Sequence, residues 1–228
     1  MAQRVDASAA YVLHSRPYRE TSLLVDLFTL EQGKISAVAR GARRAGSRMR
    51  ATLQPFQSLH MGWQGRSELK NLSQAETSEI QPPLQGRALL CGLYVNELLQ
   101  RLLPVGEPFP RLFLYYRYVL NELIAGVDLE GALRTFERQL LRELGFDLGL
   151  EQAIDDRYYR YQTQQGLVMV AGGQGIPGRH LLAIANDDYR EADVRLSAKR
   201  LMREVLQELL GDKPLNSRLL FIKSRREK

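Results

Sequence analysis

Along the first eighty residues, apolar positions fall in short alternating or continuous runs that predict strands over 9–14, 22–29, 35–40, 56–62 and 69–75. The stretch 23–28 is apolar apart from Asp26, as suits a strand buried on both faces, and Gly33 before Lys34 supplies a turn residue. Five such strands make one small barrel. Residues 41–51 follow neither period and read as a mobile loop between the third and fourth strands. Pro82 and Pro83 then break the pattern, and a helical period takes over. Ala88, Cys91, Val95, Leu98 and Leu102 share one face of a helix that ends before Pro104. A second helix after Pro110 turns Leu112, Tyr115, Val119 and Leu123 inward. A third, capped by Asp128 and stopped at Gly145, aligns Leu129, Leu133, Phe136, Leu140 and Leu144. Short loops between them predict a compact antiparallel bundle. Further on, 157–163 and 167–171 flank Gln164, Gln165 and Gly166 as a hairpin, and a last helix covers 197–210 with Leu201, Val205 and Leu209 inward. The tail 224–228 is charged and expected to fray. The class is α+β: a five-stranded barrel over 1–80, a helical bundle over 81–148, and a small C-terminal hairpin and loop region with a final helix over 149–228.

The 228 residues are 44% apolar and 25% charged, which is globular composition. No charged-then-apolar leader and no apolar run of membrane-spanning length is visible, so a cytosolic protein is expected. Cys91 is the single cysteine, which excludes an intrachain disulfide and a multi-cysteine zinc site; among Leu89, Leu90 and Leu93 it reads as a core thiol. The net charge of +6 favours polyanionic partners, and its placement sharpens the point. No acidic residue lies between Glu31 and Glu68, while the interval holds Lys34, Arg40, Arg43, Arg44, Arg48, Arg50 and Arg66.

Several patterns are set aside. The glycines at 173, 175 and 178 match a dinucleotide-binding fingerprint, but the flanking hairpin and Pro177 contradict the strand and crossover helix that it requires. No phosphate-loop motif is present. Asp155, Asp156, Asp187 and Asp188 would be the candidate ligands of a magnesium-dependent nuclease, yet they sit as adjacent pairs in polar segments and read better as solvated turns. His14, His60 and His180 are isolated. No catalytic residue, metal ligand or cofactor is expected.

The arginine-rich loop is the strongest positive signal, because guanidinium groups grip phosphates in a bidentate way and a small barrel is a known scaffold for single strands. With the neighbouring strands, the expected nucleic-acid contacts are Arg16, Lys34, Arg40, Arg43, Arg44, Arg48, Arg50, Arg66 and Lys70. Phe56 and Trp63 are either core or stacking platforms. Arg134, Arg138 and Arg142 recur every four residues beside an apolar stripe, and with Tyr115 and Tyr116 they outline a groove for an acidic, apolar-ended peptide; a solvated face paired with Glu137 and Glu143 reads equally well.

Beyond these local readings, the chain resembles the RecO family of DNA repair and recombination mediators over almost its whole length. The resemblance is carried by residues 11–22 (YVLHSRPYRETS), Gly33 with Lys34, 38–43 (VARGAR), 53–56 (LQPF), 93–98 (LYVNEL) and 213–218 (KPLNSR). It implies an N-terminal OB-fold, a helical domain, and in many relatives a four-cysteine zinc module. That module is expected to be missing here, since no cysteine lies between Gly149 and Gly178. It further implies a non-enzymatic, nucleoid-associated protein that binds single- and double-stranded DNA and anneals complementary strands. Its implied partners are the acidic C-terminal tail of single-stranded DNA-binding protein (SSB), RecR and in some cases RecF, with RecA loaded indirectly. An RNA-associated barrel protein is the alternative within the binding class, and the nuclease the alternative within the enzyme class.

Overall fold

The computed structural model describes residues 4–226. The chain packs as two compact units, Met1–Ile124 with Leu215–Lys228, and Ala125–Pro214. In the first, β1 (Arg4–Tyr18), β2 (Ser22–Thr29), β3 (Gly33–Ala39), β4 (Ser58–Gln64) and β5 (Leu69–Glu79) hydrogen-bond in the order β1-β2-β3-β5-β4, and β4 pairs back onto β1 to close the ring. All pairs are antiparallel except β3 with β5. This is the connectivity of an OB-fold. Alternation along the strands sends Val12, Val25, Leu27, Ile35, Ala37, Leu59, Met61 and Trp63 into the barrel. A short helix, α1 (Arg48–Thr52), interrupts the segment expected to be an irregular loop, and its Met49 packs against the barrel core.

The outer face of the barrel is ordered in rows, because directly opposed residues on neighbouring strands share a face. Tyr11, Phe28 and Lys34 form one row; His14, Asp26 and Ser36 form the next; Arg16, Leu24 and Val38 form a third, nearer the β1–β2 turn. Helices α2 (Gly86–Leu102) and α3 (Pro110–Ala125) cover the first row. Tyr11 and Phe28 pack on Phe113 and Tyr116 with ring centroids 4.9 to 5.9 Å apart. The Tyr116 hydroxyl donates to Asn96 Oδ1 at 2.6 Å, and Asn96 Nδ2 donates in turn to the Leu13 carbonyl at 3.0 Å. Lys34 Nζ donates to the Gln100 carbonyl at 2.7 Å, and Gln100 Nε2 donates to Asp26 Oδ2 at 3.1 Å. Thus the apolar run 23–28 is buried on both faces for two reasons: Val25 and Leu27 point inward, while Phe28 points outward under the helices. The β2–β3 turn is fixed by Gly33, which has φ +62° and lies so close to the chain after α2 that a Cβ would stand 1.7 Å from the Glu107 carbonyl oxygen.

Helix α7 (Asn216–Arg226) returns to this unit and packs on α2. Glu97 caps it, accepting from the backbone N–H of Asn216 and Ser217 at 2.8 Å each and from Ser217 Oγ at 2.6 Å. A carboxylate at a helix N-terminus satisfies orphan donors and meets the positive end of the dipole. The backbone is helical through 224–226, in the segment expected to fray; Glu227 and Lys228 lie outside the described residues.

The second unit opens with α4 (Leu129–Glu143), whose cap is Asp128 as the sequence indicates, Oδ1 accepting from Gly131 N at 3.0 Å. A 3-10 turn (Leu150–Gln152) leads to a three-stranded sheet of order β7-β6-β8, built from β6 (Tyr158–Gln162), β7 (Gly166–Val170) and β8 (Ile176–Pro177). The expected hairpin is present, and the glycine-rich segment after it runs into β8 and an unforeseen helix, α5 (Gly178–Ala185). Helix α6 (Ala192–Leu210) begins five residues earlier than its apolar period indicates and packs against α4 and α5. Asp187, in the left-handed region at φ +54°, joins this unit together: it accepts from Thr135 Oγ1 at 3.0 Å, from Tyr189 Oη at 3.2 Å and from both Nε and Nη2 of Arg138. Among the described residues, no helix is long and apolar enough to cross a membrane.

Candidate nucleic-acid interface

Charge divides sharply between the two units. The first carries 20 Lys and Arg against 11 Asp and Glu, the second 12 against 15, so a net +6 is the sum of +9 and −3. The positive field of the chain therefore arises from the first unit.

Within it, the arginines gather where β3 leaves the barrel. Arg40 follows the last residue of β3, and Ala39 pairs with Leu23 beside the β1–β2 turn. The backbone N–H of Arg43 donates to the Thr21 carbonyl at 2.9 Å, and its Nη1 donates to the carbonyls of Arg19 and Glu20 at 3.2 Å each. These bonds clip the loop onto that turn. Arg16 extends the group across the barrel face, lying in register with Leu24 and Val38, a lateral span of about 10 Å at the usual strand spacing. Arg44, Arg48 and Arg50 continue it through the turn and α1. Arg16, Arg19, Arg40, Arg43, Arg44, Arg48 and Arg50 are all exposed, with Glu20 the acidic residue among them. The guanidinium groups of Arg40, Arg44, Arg48 and Arg50 make no hydrogen bond or ion pair among the described residues. Together they form a basic rim along one end of the barrel.

Other expected contacts are placed differently. Lys34 is half-buried under α2, its ammonium spent on the Gln100 carbonyl and its pKa lowered by desolvation, so it belongs to the helix-barrel contact. Arg66 and Lys70 flank the β4–β5 turn: Lys70 lies opposite Ala37 on β3, and its Nζ donates to the Gly65 carbonyl at 3.3 Å. Phe56 and Trp63 are core residues and not platforms. Trp63 is 1% exposed with its indole N–H on Gln32 Oε1, and Phe56 is buried against Gly92 of α2.

Over the row of Tyr11, Phe28 and Lys34, the outer face of β1, β2 and β3 is covered by α2 and α3. The rings of Tyr11, Phe28, Phe113 and Tyr116 pack on one another, and burial of side chains of this size stabilises the cover by roughly 1.5–3 kcal/mol each. The exposed arginines of the rim lie outside that cover. Arg19 was missed as a rim member in the sequence; its guanidinium stands 5.3 Å from the ring centre of Tyr18 at φ +51°, a turn geometry no periodicity reveals.

The residues expected to line a peptide groove differ in exposure and in partners. Tyr116 is fully buried and hydrogen-bonded to Asn96, which corrects its expected exposure. Arg134 is also buried, paired with Glu137 at 2.8 Å, and Arg138 is held by Asp187. Tyr115 is half-buried and Arg142 exposed. The four aspartates do not converge. Asp187 is taken by α4, Asp188 accepts from Arg190 at 2.8 Å, which holds its pKa down at about 2, and Asp155 and Asp156 are exposed before β6. No group of three or more potential metal ligands is found among the described residues. A four-cysteine zinc module does not fit the segment 149–178, which contains neither cysteine nor histidine and is occupied by the three-stranded sheet. An open cleft of 680 Å³ in the second unit is lined by Tyr161, Arg203, Glu204, Glu208 and Asp212 among others; three carboxylates to one guanidinium make it a poor phosphate site.

Comparison with known proteins adds an independent line. Residues 3–81 match the family described as recombination protein O N terminal, and residues 83–219 the one described as recombination protein O C terminal. The chain is similar to the DNA repair protein RecO of Methylococcus capsulatus (45% identity over 96% of this chain and 93% of that one) and to that of Cellvibrio japonicus (46%, over 96% and 97%). The RecO of Haemophilus influenzae is 44% identical over 92% and 93%.

Proposed function

The chain belongs to the RecO family of DNA repair and recombination proteins, and from that premise we propose that it binds single- and double-stranded DNA through the arginine rim and anneals complementary strands. The observation that carries this reading is the seven exposed arginines, gathered about the β1–β2 turn to which Arg43 is clipped, on the unit whose charge is net positive. Phosphate contacts position a strand without reading its sequence, so the rim accepts any DNA. By neutralising backbone charge on two strands at once it lowers their repulsion, and annealing then requires no reacting side chain.

The same reading assigns this protein to strands coated by SSB, whose acidic tail it recognises. With Tyr116, Arg134 and Arg138 engaged internally, Arg142 is the exposed basic residue left on α4 for that tail. With RecR, and with RecF where it takes part, the protein helps RecA onto the coated strand. The test is annealing of complementary DNA coated either with intact SSB or with SSB lacking its tail. Faster annealing that depends on the tail supports both the DNA and the partner assignments; no acceleration on bare or coated DNA overturns the reading.

A further inference from the structure

We propose that the rim holds a strand by its phosphates alone, leaving the bases turned away from the protein, so that this chain binds a strand that has lost its bases as tightly as an intact one. The proposal rests on the DNA-binding reading above and names what that site recognises: a sugar-phosphate backbone, whatever it carries.

Three observations lead to it. First, sequence-tolerant strand binders grip bases by stacking them on aromatic rings, and each such stack has a large effect on affinity. Of the five Phe, Tyr and Trp rings in the first eighty residues, Tyr11, Phe28, Phe56 and Trp63 are buried. The fifth, Tyr18, is half-buried, with the Arg19 guanidinium over its ring. Second, the strand face on which a barrel of this kind usually displays its bases is covered along its first row and tied to α2 along its second: α3 lies over Tyr11 and Phe28, and Gln100 of α2 engages the Asp26 carboxylate that also accepts from Ser36 Oγ at 2.6 Å. His14, in the same row, lies 3.9 Å from Asp26 and below the rim. Third, what the rim offers is guanidinium. Among the described residues Arg40, Arg44, Arg48 and Arg50 make no hydrogen bond or ion pair, and Arg43 is held in place by two backbone carbonyls. A surface of such groups selects phosphate oxygens, and a strand whose phosphates face the protein presents its bases to solvent. Bases held outward are ready to meet a complement, which is the geometry annealing needs.

The experiment measures binding of the full chain to two labelled strands of equal length, one an ordinary mixed sequence and the other an abasic deoxyribose-phosphate chain. Both are followed by fluorescence anisotropy over a range of salt. Equal affinities and equal salt slopes are expected. Stacking of a single base is worth about fivefold or more in affinity, so an abasic strand weaker by that factor overturns the inference while leaving DNA binding intact. If neither strand binds, the DNA-binding reading fails with it. A Tyr18→Leu variant closes the remaining route: unchanged binding of both strands is expected, and a loss confined to the base-bearing strand would identify Tyr18 as a platform and overturn the proposal.

Discussion

Replacing Arg44, Arg48 and Arg50 together by Gln removes three uncommitted guanidinium groups from the rim without touching a packing contact. None of the three makes a side-chain bond among the described residues, and Gln preserves the helix propensity of α1. Each phosphate contact on a single strand contributes about 0.7 to the slope of log affinity against log salt. If all seven exposed arginines engage, raising salt from about 50 to about 200 mM weakens the unmodified chain by roughly 3 log units and the triple variant, with four contacts, by roughly 1.7. Salt-dependent anisotropy with an unstructured oligonucleotide reads that difference directly, and a urea midpoint equal to that of the unmodified chain shows that only the interface was altered. A slope unchanged by the triple substitution, in a chain that still binds, would refute the placement of DNA on the rim. Arg43→Gln is the informative contrast. Because that side chain also clips the loop to the carbonyls of Arg19 and Glu20, its loss is expected to lower both slope and stability.

Gly33→Ala adds a Cβ 1.7 Å from the Glu107 carbonyl in a left-handed turn and is expected to cost at least about 2 kcal/mol in urea unfolding. Tyr116→Phe strands Asn96 Oδ1 inside the barrel-helix contact and should cost about 1–3 kcal/mol; equal recognition of the SSB tail by this variant would agree with its burial. Asp187→Ala removes the acceptor shared by Thr135, Arg138 and Tyr189, for an expected loss of about 1–3 kcal/mol seen as a lower thermal midpoint. Burial, then the charge of Arg179, hold His180 below its ordinary pKa of 6.5. Its contribution to stability is thus complete above that value and is lost as pH falls from it toward the lower folded pKa, where the unfolded chain binds the extra proton. His180→Gln should flatten the fall in unfolding midpoint between about pH 7 and about pH 5; an identical fall in the variant would assign it to other groups.

Where the fold was legible in the sequence, one local cause acted alone. The strands of the barrel followed their alternation, α4 its Asp128 cap, and the hairpin its Gln-Gln-Gly turn. Tertiary causes were invisible. Phe28 and Val38 look like ordinary strand residues, and only the register shows that both face outward, with Phe28 beneath α3. Tyr115 and Tyr116 are neighbours of one type in sequence, yet the latter is fully buried because it meets Tyr11 and Asn96 from distant segments. Helix α1 is five residues long, too short for a period to register, and α5 follows three glycines that argue for a loop. For the proposed interface, the acid-free arginine window picks out side chains that are exposed in the fold, Arg40, Arg43, Arg44, Arg48 and Arg50. It overreached at Lys34, where charge pattern gives no hint of a backbone carbonyl waiting on α2.

The return of α7 to the first unit makes the second a long insertion within it. During synthesis the barrel, α2 and α3 leave the ribosome first, yet the partner that Glu97 is shaped to cap lies beyond the whole of Ala125–Pro214. With 119 residues between Glu97 and Asn216, and synthesis at roughly 5–20 residues per second, α2 waits on the order of 6–24 s with that face uncovered. A truncation after Pro214 would leave the wait permanent, so a fragment that keeps the first unit whole has to retain the segment from Leu215 onward.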